Sequence, residues 1–82
     1  ALMEKRIGTV TLLVSDRNKA AEINNIISEY SDIVLCRQGL PFHERPVAVI
    51  SLIVDGAMPR INALCGKVGR LEGVKAKAVI TE

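Results

Sequence analysis

Apolar positions along the chain switch between two periods, and the switches divide it into six segments. Ile7–Val14 is dominated by β-branched residues, with Gly8 the one weak former, which predicts a strand. Ser15 and Asp16 then offer N-cap oxygens. Behind them Ala20, Ile23, Ile27 and Tyr30 recur at helical spacing with Ile26 alongside, while Arg17, Lys19, Glu22, Asn25 and Glu29 take the opposite side. That pattern predicts an amphipathic helix of about three to four turns. Ser31 and Asp32 end it, and Ile33–Leu40 reads as a second strand closed by Pro41.

Leu40–Pro46 carries a proline near either end of a short polar stretch, the signature of a connection between strands. Val47–Val54 is apolar on both alternation faces except at Ser51, as a central strand should be. Asp55 and Gly56 interrupt it, and Pro59 suits the first turn of a second helix. Ile61, Leu64, Cys65 and Val68 form the apolar stripe of that helix, and Arg60, Asn62 and Lys67 its outer side. Gly66 costs about 1 kcal/mol relative to alanine inside a helix, which predicts close packing on a sheet at that point; Gly69 is the expected terminator. From Gly73 onward Val74, Ala76, Ala78 and Ile80 alternate with Lys75, Lys77, Val79 and Thr81, the pattern of a half-exposed edge strand.

The order is βαββαβ, two halves that each need a right-handed crossover. They interleave most readily as an α+β ferredoxin-like plait: a four-stranded antiparallel sheet with two helices on one face, the first and third strands central. Domain organisation is a short tail, residues 1–5, with Ala1 a candidate expression remnant ahead of Met3, and one domain over residues 6–82. The helices cover only one side of such a sheet. On the first strand Ile7, Thr9, Thr11 and Leu13 alternate against Val10, Leu12 and Val14; on the third Val47, Val49 and Ile53 alternate against Ala48, Ile50, Leu52 and Val54. One set on each strand has no cover within the chain, which predicts a homo-oligomer, a dimer or a tetramer.

Composition narrows the class without selecting a function. With 82 residues, 49% of them apolar and 24% charged, the chain is a single globular unit and not a disordered, collagenous or disulfide-built one. Phe42 and Tyr30 are its only aromatic residues, and a net charge of +2 gives no electrostatic footprint for nucleic acid. The longest apolar runs fall far short of the ~20 residues that span a bilayer, and no secretory signal precedes the first strand, so the expected location is cytoplasmic, away from membranes. Two distant cysteines, Cys36 and Cys65, read as reduced thiols.

Each chemistry that a plait can carry needs residues that this chain either has or lacks. A heavy-metal chaperone needs Cys-x-x-Cys after its first strand, where Ser15-Asp16-Arg17-Asn18 stands. An RNA-recognition module needs stacking aromatics on its central strands, and neither strand has one. An acylphosphatase-type loop would be glycine-rich around Arg17 and Asn18, and it is not; an iron–sulfur cluster would need about four cysteines. His43 shows no ligand spacing to either cysteine and no triad, and a solvated ring is the ordinary state in such a turn. Arg37, Arg45 and Arg60 are candidate anion binders, although arginines at strand ends are more often simply solvated. No catalytic group, metal site or cofactor is expected.

The stretches Arg37-Gln38-Gly39-Leu40-Pro41, Val49-Ile50-Ser51-Leu52-Ile53-Val54-Asp55-Gly56, Ile61-Asn62-Ala63-Leu64-Cys65-Gly66-Lys67-Val68-Gly69 and Gly73-Val74-Lys75-Ala76-Lys77, with the Arg6-Ile7-Gly8 opening, resemble the family of iron-only hydrogenase system regulators over nearly the whole chain. The resemblance implies an ACT-like plait related in shape to the sensing domain of the nickel-responsive repressor. That repressor holds its metal through a His-x-His pair and a cysteine, whereas the matching strand here, Ser51-Leu52-Ile53-Val54-Asp55, has no histidine, so nickel sensing does not carry over. Fewer than ten residues precede the first strand, so direct DNA contact is not expected and any transcriptional effect would need a partner chain. The leading expectation is a non-enzymatic regulatory module that forms a homo-oligomer and binds a small ligand at the subunit interface, at Ser15, Asp16 and Arg17 and at Asp55, Gly56 and Ala57. The alternatives are an adaptor docking a protein partner through its exposed sheet face or edge, and a metal or redox sensor using Cys36, Cys65 or His43.

Overall fold

A computed structural model describes residues 4–81. Its elements run β1 (Lys5–Val14), a 3₁₀ turn (Arg17–Lys19), α1 (Ala20–Glu29), β2 (Val34–Leu40), β3 (Ala48–Ala57), α2 (Met58–Gly69) and β4 (Val74–Ile80). The strands form one antiparallel sheet in the order β2-β3-β1-β4, with the two strands that contribute most of the buried apolar side chains, β1 and β3, at its centre. This is the βαββαβ plait that the periodicity predicts. Residues 1–3 of the expected tail lie outside the described residues, and Lys5, also assigned to that tail, already pairs with Ala57 in the sheet.

The core forms where the helical stripes meet one side of the central strands. Val10, Leu12, Leu52 and Val54 from the sheet pack on Ile23 and Ile27 of α1 and on Ile61, Leu64 and Val68 of α2, and all are buried. Burying each such side chain stabilises the fold by about 1.5–3 kcal/mol relative to leaving it in water. Tyr30 is buried at the end of α1, with the Arg60 guanidinium 4.3 Å from its ring centroid and the Lys67 amine 5.5 Å away. Arg60 also bonds Asp32 at 2.6 Å and the Glu29 carbonyl at 3.3 Å, so α2 is tied to the chain leaving α1.

Two local expectations are corrected and a third is refined. Asp55 and Gly56 do not interrupt the third strand, which pairs with β1 through Ala57. Gly56 lets Ile33 pack against the strand: the Ile33 Cγ2 lies 2.6 Å from an ideal Cβ there, so any side chain would clash. Gly66 does not pack on the sheet: a Cβ at that position meets nothing within 4 Å. α2 does end at Gly69, but Arg70 caps it in right-handed conformation, and the left-handed turn falls at Gly73, with φ +79°.

Candidate functional site

The two proposed ligand turns end up far apart. Because β1 and β3 are antiparallel, Val14 faces Ala48 at one end of the sheet and Lys5 faces Ala57 at the other. The ten residues of β1 span about 30 Å. Ser15, Asp16 and Arg17 therefore share one end, and Asp55, Gly56 and Ala57 the other; one protomer cannot bring them to a single ligand. At the second end Asp55 donates its backbone N–H to the Ile33 carbonyl at 2.8 Å and Gly56 is buried against Ile33, so these residues close the strand-to-helix junction.

At the first end each residue has a distinct task. Ser15 directs both its backbone N–H (2.8 Å) and its hydroxyl (3.0 Å) at the Gly73 carbonyl, clasping the end of β1 to the start of β4. Asp16 caps the 3₁₀ turn by accepting from the Asn18 N–H at 2.9 Å, and so α1 begins one turn later than its N-cap oxygens suggest. Arg17 is thereby turned outward, its guanidinium carbon 5.0 Å from the centroid of Phe42.

Around Phe42 lies a depression with two arms. One arm, about 1060 Å³ and open, is lined by the β2–β3 loop with Arg17, His43, Glu44 and Arg45. The other arm, about 290 Å³, runs between the start of α1 and the β2–β3 edge, with Ala20, Ile23, Gly39, Ala48 and Ile50 around it and Arg17 and Arg37 at its margins. Arg17, Leu40, Pro41, Phe42 and Val49 belong to both, so Phe42 stands between the arms of one depression. Phe42, Gly39 and Ala48 were not among the site residues expected from sequence. The available signal was an aromatic residue between two prolines and an arginine, Arg37, whose strand partner Leu52 faces the helices. Arg45 lines the open arm, whereas Arg60 is engaged with Asp32 and Tyr30.

The sheet face opposite the helices is uncovered. Ile7, Leu13, Leu40, Val47, Ile53 and Val79 are exposed, the last by 68%. The register lines up Gln38, Ser51, Thr11 and Lys77 as a polar stripe across all four strands, between an apolar row through Ile53 and Val79 and another through Leu40, Val49 and Leu13. Cys36 is exposed on this face and Cys65 is half-buried on α2; among the described residues no group of three or more histidine, cysteine or acidic side chains is placed to hold a metal ion. Among the same residues no helix is long and apolar enough to cross a membrane.

With this geometry in hand, comparison with known proteins supplies a family. Residues 6–78 match the model of the family described as "TM1266-like: Iron-only hydrogenase system regulator, putative". The uncharacterized protein TM1266 from Thermotoga maritima superposes with a TM-score of 0.88 at 36% identity, covering 96% of this chain and 100% of that one. A homoserine dehydrogenase from Thiobacillus denitrificans (TM-score 0.62, 17% identity, 96% of this chain and 18% of that one) and the de novo designed protein Foldit4 (TM-score 0.58, 11% identity, 96% and 98%) share the fold alone. No curated protein matches. The family match spans nearly the whole chain, which belongs to the TM1266-like family, the one described as an iron-only hydrogenase system regulator.

Proposed function

We propose that the chain is a non-enzymatic, ACT-like regulatory module that works as a homo-oligomer joined through its open sheet face, with a small effector bound at the end of the sheet carrying Ser15, Asp16 and Arg17. The observation that carries this reading is the uncovered face itself, six large apolar side chains on a sheet with no cover inside the chain. Strand spacing of about 4.8 Å and a rise of about 3.3 Å per residue give that face about 500 Å². Two apposed copies remove about 1,000 Å² from water, the lower bound for a specific interface. A second copy suits the face because its polar stripe lies between two apolar rows, and a two-fold axis through Thr11 and Ser51 sets stripe on stripe and row on row. The regulatory, non-enzymatic role follows the family's description.

Sedimentation equilibrium at tens of micromolar, with Ile53→Lys as the comparison, tests the assembly. The unaltered chain should sediment as a dimer or tetramer and the Ile53→Lys chain as a monomer with an unchanged circular dichroism spectrum. A monomer for both refutes the self-association, and the weight then passes to an adaptor that offers the same face and the β2 edge, with its exposed Leu35 and Leu40, to a different protein.

A further inference from the structure

We propose that the narrower arm of the depression, between α1 and β2, binds a small carboxylate with a compact apolar body, its carboxylate gripped by Arg17 and Arg37. The inference builds on the regulatory reading for its purpose, since it supplies that reading's effector, but its geometry stands without any assembly. The arm has a floor of small residues, Gly39 and Ala48, with Ala20 at its margin, because glycine and alanine leave unfilled the space between the helix and the β2–β3 edge. Val14, Ile23 and Ile50 make the walls apolar. Its volume of about 290 Å³ has room for a branched aliphatic or single-ring acid.

Charge specifies the other half of the ligand. Arg37 pairs with Leu52, which is fully buried under the helices, so its side chain leaves the sheet on the helix side, beside the arm. Arg17 reaches the same arm from the 3₁₀ turn and sits over the Phe42 ring, a contact that removes part of the rotamer freedom that binding would otherwise cost. Among the described residues neither guanidinium has an acid within ion-pair distance, and Glu44 lines the other arm. Two unpaired planar forks at the mouth of an apolar cleft match a carboxylate, which each can grip through paired N–H donors while the hydrocarbon part enters the cleft.

The test is a backbone-amide NMR titration of the full chain with isovalerate and phenylacetate as probes, isovaleramide as the neutral shape control and inorganic phosphate as the bare anion. Both carboxylates should produce saturable shifts at Ala20, Gly39 and Ala48, with isovaleramide weaker by about tenfold or more. Arg37→Gln should weaken the carboxylates by about tenfold, and Ala20→Leu, which fills the arm from a helical position where leucine is well tolerated, should abolish the shifts without lowering the melting temperature. The proposal is overturned by no saturable shift at tens of millimolar, by isovaleramide binding as well as isovalerate, or by phosphate moving the same three amides as strongly. Sedimentation of the same samples separates the two readings: carboxylate binding by a monomer sinks the assembly and keeps this site, and a dimer without binding does the reverse.

Discussion

Replacing Gly66 with alanine should raise the stability of this domain, although glycines in helices facing a sheet are commonly there to let backbones approach. Gly66 lies inside α2, between Leu64 and Val68, which are both fully buried. Its own position looks away from the core, and a methyl group there would touch nothing within 4 Å. No clash offsets the helical preference, so the gain is that of alanine over glycine in a helix, about 0.5–1 kcal/mol. In a domain of this size 1 kcal/mol moves the melting temperature by about 4–8 °C, and the expected rise is therefore about 2–8 °C. Thermal unfolding followed by far-ultraviolet circular dichroism at two protein concentrations measures it directly. Hydrogen exchange adds a local readout, because the Arg70 N–H bonds the Gly66 carbonyl at 3.2 Å and should exchange more slowly once the last turn is firmer. A lower melting temperature, at either concentration, would refute the reasoning, since it would mean that some surface closes on this glycine.

The same substitution at Gly73 should act in the opposite direction. A Cβ there would need φ +79° and would come within 3.0 Å of the Asp16 Cβ, so a loss of about 1–2 kcal/mol is expected, readable as a fall of about 4–16 °C. Arg60→Ala removes the half-exposed pair with Asp32 and the stacking on Tyr30, and should cost about 1 kcal/mol in a urea titration, of which only the ion-pair share disappears at high salt. Tyr30 is the sole tyrosine in a chain without tryptophan, so its fluorescence should also change on that substitution; an unaltered emission would contradict the stacked geometry.

Most of the fold could be read from periodicity because each face of each element has one environment. Ile23, Ile27 and Tyr30, like Ile61, Leu64 and Val68, repeat at helical spacing and are all buried, and the doubly apolar β3 is central for the same reason. Glycines were where local rules misled. Gly56 reads as a strand breaker, yet it continues β3 and its missing side chain makes room for Ile33; Gly66 reads as a packing contact, yet it faces outward. Both outcomes depend on which residue lies opposite, which no run of neighbours encodes. The depression around Phe42 was hidden for a related reason. Its floor combines Gly39 with Ala48, one from each of two adjacent strands, and its mouth joins Arg17 to Arg37, so it exists only once the register is set. The Ser15–Arg17 turn was visible because capping is local, whereas its separation from Asp55–Ala57 follows from strand direction.

The pairing of the first strand with the last has a consequence for how this unit travels. Ile7 accepts from both the backbone N–H (2.9 Å) and the hydroxyl (2.8 Å) of Thr81, so the chain enters and leaves the domain side by side. A short linker could join those two points, and new ends could then be opened in the exposed β2–β3 loop without cutting a ladder hydrogen bond, as circular permutation requires. For the same reason the whole plait can be spliced into a surface loop of a larger protein with little distortion of its host. Evolution and engineering alike can thus treat it as a cassette with adjacent plugs.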